Sequence, residues 1–200
     1  MNARNREESL TLEILETIDN QSDLTQRHLA NRLGVALGLA NSYLKRCVRK
    51  GLIKIEQAPA NRYLYYLTPH GFAEKSRLTA EYLSISFDFY RRAGISCTQV
   101  FKQCHEHDFQ RILLCGISEL AEIASLRAKE QGIKVTGIVE RGAQNKEYIG
   151  IPVWTSLDVI REFDACVITA LNAPDKLLAY VEQRVVKDRI FIPDILGLKH

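Results

Sequence analysis

The 200-residue sequence has few residues of the kinds that mark unusual protein classes. It contains one Trp, one Met, five Pro and 11 Gly, and only 8% of its residues are aromatic. Collagen needs far more Gly, and disordered chains are poorer in apolar residues than the 46% found here. Long apolar runs are also absent: a segment such as 111–116 is far shorter than the roughly 20 residues that span a bilayer. The sequence therefore excludes collagen, disorder and coiled-coil arrays, and it predicts one large or two small globular cores.

The start of the sequence and its cysteines point to a reducing compartment. Residues 1–10 are polar and charged, so we expect neither a secretion signal nor a membrane anchor. Several of the cysteines lie inside apolar periodic segments, which favours buried thiols over a disulfide framework. The odd set of five is Cys47, Cys97, Cys104, Cys115 and Cys166. We expect a cytoplasmic protein, since thiols stay reduced there.

The formal net charge of +3 is unevenly distributed along the chain. Residues 1–92 carry 14 Lys and Arg against 10 Asp and Glu, whereas residues 93–200 carry 13 against 14. A basic half suits a polyanion such as DNA, and a nearly neutral half suits a small ligand or another protein.

Hydrophobic spacing in the first half predicts three helices. Leu10 and the apolar residues at 14, 15 and 18 repeat at helical spacing. A second, short helix with Asp23 or Thr25 as its cap ends at Gly34. A third runs from about residue 37 to residue 50, and its apolar stripe is formed by Ala40, Tyr43, Leu44 and Cys47.

A hairpin and a long helix complete this half. The predicted strands are residues 52–55 and 63–67, and the polar loop 56–62 between them is the candidate wing. Thr68-Pro69 then starts a helix that we expect to end near Arg92. Two helices joined by a tight turn and followed by a hairpin predict an α+β winged helix-turn-helix domain over residues 1–92.

The second half alternates short apolar strands with helices. This alternation predicts a small α/β Rossmann-like domain with a parallel sheet over residues 93–200. The predicted strands are residues 111–115, 134–139, 165–168 and 189–192, and the predicted helices are residues 119–131, 155 or 156 to 163, and 173–185.

The third helix carries the chemistry expected of a DNA reader. If Tyr43, Leu44 and Cys47 face the core, amide, hydroxyl and cationic side chains face outward. Asn can bond an adenine edge, and Lys and Arg neutralise phosphates. The residues at the start of the second helix can hold a phosphate with that helix's N-terminus. The predicted DNA-binding residues are Gln26, Arg27, Gly38, Asn41, Ser42, Lys45, Arg46, Arg49 and Arg62. Lys50 is either a phosphate contact or a cation at the helix C-terminus.

Four successive segments of this half resemble the winged-helix regulators of the MarR type, and most closely their subgroup associated with bacterial exopolysaccharide genes. The segments are Leu24-Thr-Gln-Arg-His-Leu-Ala-Asn-Arg-Leu-Gly34, Leu37-Gly-Leu-Ala-Asn41, Lys50-Gly-Leu-Ile-Lys-Ile55 and Leu67-Thr-Pro-His-Gly71. The resemblance covers residues 8–90 and implies that residues 37–50 are the recognition helix and residues 56–62 the wing.

The long helix has apolar residues on two stripes. One contains Leu78, Tyr82, Ile85 and Phe89, and the other Ala80, Leu83, Phe87 and Tyr90. A helix that is apolar on most sides is buried on most sides, either within its own chain or against a second copy. A homodimer is favoured because paired recognition helices read two half-sites about one helical turn apart.

In the second half, the first strand runs into a glycine-containing turn of the form G-x-S-x-x-A at residues 116–121. The dinucleotide fingerprint has glycine where this chain has Ser118, whose hydroxyl can itself bond a phosphate. Glu140 ends the second strand, where an acidic residue would hold a ribose. The predicted ligand-binding residues are Gly116, Ile117, Ser118, Glu119, Leu120, Glu140 and Arg141.

Residues 111–194 resemble the small Rossmann-like module that precedes sugar acyltransferases of the sialic-acid and bacillosamine type. The motifs are Gly116-Ile-Ser-Glu-Leu-Ala121, Val135-Thr-Gly-Ile-Val-Glu140, Gly150-Ile-Pro-Val153 and Asp164-Ala-Cys-Val-Ile168. The acyl-transferring repeat domain of that lineage is not found in this chain. The resemblance implies a nucleotide, a sugar nucleotide or NAD(H) as the ligand; a purely structural or dimerising sheet is the alternative.

The sequence favours a regulator over an enzyme. Cys97, Cys104, His105 and His107 form a formal metal tetrad, but the helical spacing of the cysteines favours a buried face, and we expect no metal. Neither a Tyr-x-x-x-Lys pair nor a nucleophile elbow is present. We predict a transcriptional regulator that binds double-stranded DNA, senses a small-molecule effector and controls polysaccharide or sugar-nucleotide genes. The alternatives are a sugar-nucleotide or NAD(P)-dependent enzyme with an accessory winged helix, and a protein-binding scaffold.

Overall fold

The structure is a computed structural model that describes residues 3–59, 62–160 and 162–198, without the side chains of residues 3–5 and 62. The chain divides into two compact units, residues 1–86 and 87–200. The division falls inside one helix, a few residues before the predicted boundary at 92/93. None of the helices in the described ranges combines the length and apolar character needed to cross a bilayer.

The first unit has the predicted order of elements. Its helices are α1 (Ala3–Asn20), α2 (Gln26–Arg32) and α3 (Leu37–Arg49), followed by β1 (Ile53–Ala58), β2 (Arg62–Leu67) and the start of α4 (Pro69–Glu106). The two strands pair antiparallel, with Ala58 opposite Arg62. The predicted loop 56–62 is therefore too long: its first three residues extend β1 as far as Pro59, which has no amide for the ladder.

One core holds this unit together. The apolar residues predicted on α1 are buried with Leu29 of α2 and with Ala40, Leu44 and Cys47 of α3. Gly34, in the turn between α2 and α3, adopts a left-handed conformation with φ +60°. The turn is therefore short, and it holds α3 with one fixed face inward.

The predicted end of α4 near Arg92 is wrong, because the helix continues to Glu106. Gly94 lies inside this helix and allows close packing: a Cβ there would lie 2.9 Å from the Arg127 Nε. Beyond Gly94 the buried residues Cys97, Phe101 and Cys104 keep the helical spacing. Burial of this face outweighs the low helix propensity of one glycine.

The second unit is built on a mixed, mostly parallel six-stranded sheet. In spatial order the strands are β5 (Glu147–Tyr148), β6 (Ile151–Trp154), β4 (Lys134–Val139), β3 (Arg111–Cys115), β7 (Ala165–Ile168) and β8 (Ile190–Phe191). Only the edge pair β5 and β6 is antiparallel. The prediction of a parallel sheet is thus correct except at this edge, where the hairpin was not foreseen.

Helices cover the sheet through two cores. Ile112 and Leu114 of β3 face the core formed with α4 and α5 (Glu119–Glu130), while Leu113 and Cys115 face the core formed with α6 (Pro174–Glu182). This alternation is expected for a strand buried on both faces. The predicted helix ending at residue 163 is wrong: in the described part of this segment the helical structure is a short 3-10 turn, Leu157–Val159.

Candidate functional site

α2 and α3 have the geometry of a helix-turn-helix. The Thr25 side chain caps α2 by accepting a hydrogen bond from the His28 amide over 3.1 Å. Ala40, Leu44 and Cys47 point α3 into the core, and Tyr43 is half-buried. The opposite face of α3 is therefore turned away from the core of the first unit.

That outward face borders a concavity of about 580 Å³ between α2, α3 and the hairpin. It is lined by five of the predicted DNA contacts together with apolar side chains: Gln26, Asn41, Ser42, Leu44, Lys45, Val48, Arg49, Ile55 and Tyr65. Ser42, Lys45 and Arg49 are exposed. The structure thus brings amide, hydroxyl and cationic groups of separate elements to one surface. We call this concavity the α3 groove.

Asn41 occupies an unusual position in the α3 groove. The residue is half-buried, and its Oδ1 atom is buried without a hydrogen-bond partner. A buried acceptor that is left unpaired is costly. Because this oxygen has no partner within the protein, the Asn41 amide can rotate outward to an external donor without losing a hydrogen bond of that oxygen. A base edge that presents an amino group is such a donor.

Arg46 has a different environment from Lys45 and Arg49. Its guanidinium forms an ion pair with Glu7 of α1 and lies 5.3 Å from the centre of the Tyr43 ring. The hydrogen bond from Arg46 lowers the pKa of the Glu7 carboxyl and raises the pKa of the guanidinium. Lys50 Nζ lies 4.0 Å from the same carboxylate. Both cations therefore have an anionic partner within the protein, and Arg46 does not line the α3 groove.

The remaining predicted DNA contacts lie around this surface. Arg27 and Gly38 are exposed, and no atom lies within 4 Å of the position that a Gly38 Cβ would occupy. The Arg62 side chain lies outside the described residues. The sequence analysis missed the hairpin contribution of Ile55 and Tyr65, although strand alternation in the hairpin would have placed every second side chain toward α3.

In the second unit, the loop after β3 is tied to the loop after β7. Gly116 has φ +105°, and a Cβ there would lie 2.5 Å from the Ala170 Cβ. The buried Thr169 hydroxyl donates to the Gly116 carbonyl over 2.6 Å. In open α/β sheets ligands bind where the strand order reverses, and here that point lies between β3 and β7. The loops after β3 and β7 are therefore in direct contact at the point where the strand order reverses.

Ser118 is also used within the protein. Its hydroxyl donates to the Thr169 carbonyl over 2.5 Å and accepts from the Leu120 amide over 3.1 Å, which caps α5. The Leu120 side chain is fully buried, whereas Glu119 is exposed. Of these three predicted ligand residues, only Glu119 has an exposed polar side chain, and Ser118 is half-buried.

Glu140 and Arg141 lie at the end of β4, as the sequence predicted. A carboxylate oxygen of Glu140 accepts a hydrogen bond from the Ile117 amide over 2.8 Å. In a dinucleotide site that amide belongs to the loop that approaches phosphate. Arg141 is exposed, and its guanidinium lies 5.1 Å from the centre of the Tyr180 ring. The Ile117 amide, which a phosphate would need as a hydrogen-bond donor, is therefore already bonded to the Glu140 carboxylate.

The cysteines are buried thiols, as predicted: all five are free and buried. Burial raises the pKa of Cys47 to about 11 and that of Cys97 and Cys104 to about 12. These three thiols are therefore protonated and unreactive near neutral pH. Within the described ranges, no group of three or more His, Cys, Asp or Glu side chains is arranged to hold a metal ion.

One family of known domains matches part of the first unit. Residues 8–54 match a family of winged helix-turn-helix DNA-binding domains. No curated protein sequence matches the chain.

Two solved structures show weaker similarity. MepR, a transcription regulator of the Staphylococcus aureus multidrug efflux pump MepA, aligns at 24% identity over 42% of this chain and 61% of its own, with a TM-score of 0.36. Human N-acetylserotonin methyltransferase, solved in complex with SAM, aligns at 14% identity over 80% of this chain and 66% of its own, with a TM-score of 0.34. The chain thus spans less than two thirds of either structure. Residues 8–54 are similar to a DNA-binding winged helix-turn-helix, and this supports a transcriptional regulator.

Proposed function

We propose that this protein is a transcriptional regulator of the MarR type that binds double-stranded DNA through α3. The observation that carries the proposal is the α3 groove, where Asn41, Ser42, Lys45 and Arg49 share one outward surface beside α2 and the hairpin. The family match over residues 8–54 supports the same role. A regulator needs no catalytic residues, and we infer that the chain is not an enzyme and acts in the bacterial cytoplasm, where the DNA is.

Salt dependence of DNA affinity tests the cationic contacts. Each phosphate neutralised by a side chain contributes about 0.9 to the slope of log affinity against log salt concentration. We expect Lys45→Ala and Arg49→Ala each to lower this slope by about one unit and to weaken specific and non-specific DNA equally. Lys129→Ala, an exposed lysine of α5, is the control. Unchanged slopes for both groove variants would contradict the proposal.

Asn41 is proposed to read a base. We expect Asn41→Ala to lose about 1 to 3 kcal/mol of discrimination at one base pair, because an amide can bond the adenine edge at two points. Fragments selected from random DNA by the wild-type protein and by the variant give the readout. An unaltered sequence preference would rule out this role for Asn41.

We propose that the regulator is a homodimer that uses the exposed face of α4. Tyr82 and Ile85 are 60% and 56% exposed in the first unit. A second copy would remove these side chains from water and bring two recognition helices to successive half-sites.

We propose that the second unit senses a phosphate-bearing effector such as a nucleotide, a sugar nucleotide or NAD(H). The regulator would then control polysaccharide or sugar-nucleotide genes in response to this effector. Binding would require the effector phosphate to displace the Glu140 carboxylate from the Ile117 amide, with Arg141 as a nearby cation. Because the carboxylate and a phosphate compete for one donor, the loop has two alternative states, which is what an allosteric switch requires.

Removal of the competing carboxylate tests this proposal. We expect Glu140→Ala to bind ADP, UDP-glucose or NADH more tightly than the wild type does in calorimetric titrations. Glu147→Ala, an exposed carboxylate of β5, should leave binding unchanged. If the two variants bind all three probes equally, Glu140 does not gate the loop. Turnover of UDP-glucose or NADH by the wild type would contradict the non-enzymatic proposal.

A further inference from the structure

The N-terminal turn of α3 exposes two large apolar side chains. Leu37 and Leu39 are 43% and 42% exposed, and they flank Gly38. Isolated exposed leucines are common, but these two begin the helix that bears the α3 groove. The exposure of these two leucines is not explained by the polar contacts predicted for DNA binding.

The position of Leu37 follows from helix geometry. Residues four apart lie on neighbouring turns of one face, so Leu37 precedes Asn41 on the groove side of α3. Side chains of a helix lean toward its N-terminus, and Leu37 therefore extends the groove surface beyond the first turn. Gly38 contributes no side chain, and the space around it is open, so the backbone between the leucines can approach a surface closely.

The chemistry of this turn suits one feature of DNA. Helix-turn-helix proteins read base edges with the N-terminal residues of the recognition helix in the major groove. The apolar group in that groove is the C5 methyl of thymine, which aliphatic side chains contact. The adenine paired with each thymine offers the amino donor that the unpaired Asn41 oxygen lacks.

We propose that Leu37 is a specificity-determining residue that contacts a thymine methyl group, so that the preferred DNA carries an A·T pair opposite the start of α3. Leu39, two residues further along the helix, lies on a different face of α3 and serves as the comparison. The inference rests on the proposed DNA-binding function. It adds that sequence is read partly through apolar contact.

Replacement of thymine by deoxyuridine removes only the methyl group and isolates this contact. A site selected from random DNA by the wild-type protein is resynthesised with deoxyuridine at each thymine in turn, and affinities are measured for wild type, Leu37→Ala and Leu39→Ala. Burial of one methyl-sized group corresponds to about a fourfold change in affinity. We expect the wild type to lose about fourfold at one position. Leu37→Ala should bind both DNAs equally there, whereas Leu39→Ala should keep the preference for thymine.

Controls separate this contact from other effects. Leu126→Ala removes a leucine of α5 with 43% exposure and should behave as the wild type. Alanine is a better helix former than leucine, so the two α3 variants should keep their fold, which circular dichroism checks. Sedimentation shows whether they keep the oligomeric state of the wild type.

Each remaining outcome decides a separate point. DNA binding that is indifferent to deoxyuridine at every position overturns the methyl contact alone. The contact is also overturned if Leu37→Ala keeps the full preference for thymine, or if it changes oligomeric state with that preference intact, which would assign Leu37 to a second copy. Absence of any DNA binding by the wild type overturns the proposed function as well.

Discussion

Gly38 and Gly71 lie in the first turns of α3 and α4, but they differ in their surroundings. A Cβ at Gly71 would lie 2.0 Å from the Leu52 carbonyl oxygen, whereas nothing lies within 4 Å of a Cβ at Gly38. The Gly71 amide also donates to the Thr68 hydroxyl over 3.0 Å, at the start of α4. One glycine is thus required by packing, and the other leaves a surface free for a partner.

Substitution by alanine should therefore affect stability differently at these two positions. We expect Gly71→Ala to destabilise the protein by about 1 to 3 kcal/mol, because the backbone of Leu52 must move. Gly38→Ala should be neutral or stabilising by up to about 1 kcal/mol from helix propensity, yet it should weaken DNA binding if the backbone approaches the duplex. Thermal unfolding followed by circular dichroism measures the first effect, and DNA titration measures the second. Equal stabilities of the two variants would contradict the packing argument.

Asp164 joins the start of β3 to the segment before β7. Its carboxylate accepts hydrogen bonds from the backbone amides of Gln110 and Arg111 and from the Arg111 guanidinium, the last over 2.9 Å. The hydrogen bond from Arg111 and those from the two amides lower the pKa of this carboxyl. Folding therefore favours the ionised form.

Stability of the second unit should depend on pH through Asp164. Because the pKa is lower in the folded state, the contribution is complete above the ordinary pKa of an aspartate and is lost as the pH falls through the lowered value. We expect Asp164→Asn to be less stable than the wild type near neutral pH, and the difference to shrink in acid. Trp154, the single tryptophan, reports urea unfolding by its fluorescence. A difference independent of pH would show that the carboxylate charge is unimportant.

For Glu140, residue spacing predicts the position in the sheet but not the hydrogen-bond partner of the side chain. Its distance along the sequence from Gly116 predicted a ribose contact at the end of the second strand, and the structure does place it there. The carboxylate, however, is bonded to the Ile117 amide. Spacing predicts which strand end carries a residue, but the partner of a flexible side chain depends on which donors the neighbouring loop leaves open.

At the scale of elements, prediction succeeded where one face is buried and failed where tertiary packing decides. The helices around Leu29 and Leu44 and the strand 165–168 were predicted because their apolar periodicity is strong. The second half of α4 was missed because the two apolar stripes recognised on this helix end at Phe89 and Tyr90. The edge strands β5 and β6 were missed because their short segments show little periodicity. The α3 groove was predicted in its helical residues but not in its hairpin residues.

The start of α5 offers a test at this scale. Ser118 caps the helix and also bonds the Thr169 carbonyl, so Ser118→Ala should destabilise the second unit by about 1 kcal/mol or more. Ser118→Thr keeps the hydroxyl and should lose less. Urea unfolding followed by Trp154 fluorescence compares the two variants. If alanine and threonine are equivalent, the hydroxyl does not hold this turn.

For the whole molecule, the difference in charge between its halves matches the proposed division of labour. The excess of Lys and Arg lies in residues 1–92, which contain the match to DNA-binding domains. This excess is small, however. Among the described ion pairs, two cations of the α3 groove have no carboxylate partner, and these are Lys45 and Arg49. Two copies would double the phosphate contacts and double the salt slope of binding.

A substitution on α4 therefore tests the assembly and the DNA affinity together. Ile85→Glu places a charge on the exposed apolar face, and we expect it to convert a dimer into a monomer in sedimentation equilibrium, because a buried unpaired carboxylate is costly. The monomer should bind a two-half-site DNA with about half the salt slope of the wild type. Leu126→Glu makes the same charge change on α5 and should leave the mass and the slope unchanged. A wild type that sediments as a monomer would contradict the proposed dimer, and a dimeric Ile85→Glu protein would move its interface away from this part of α4.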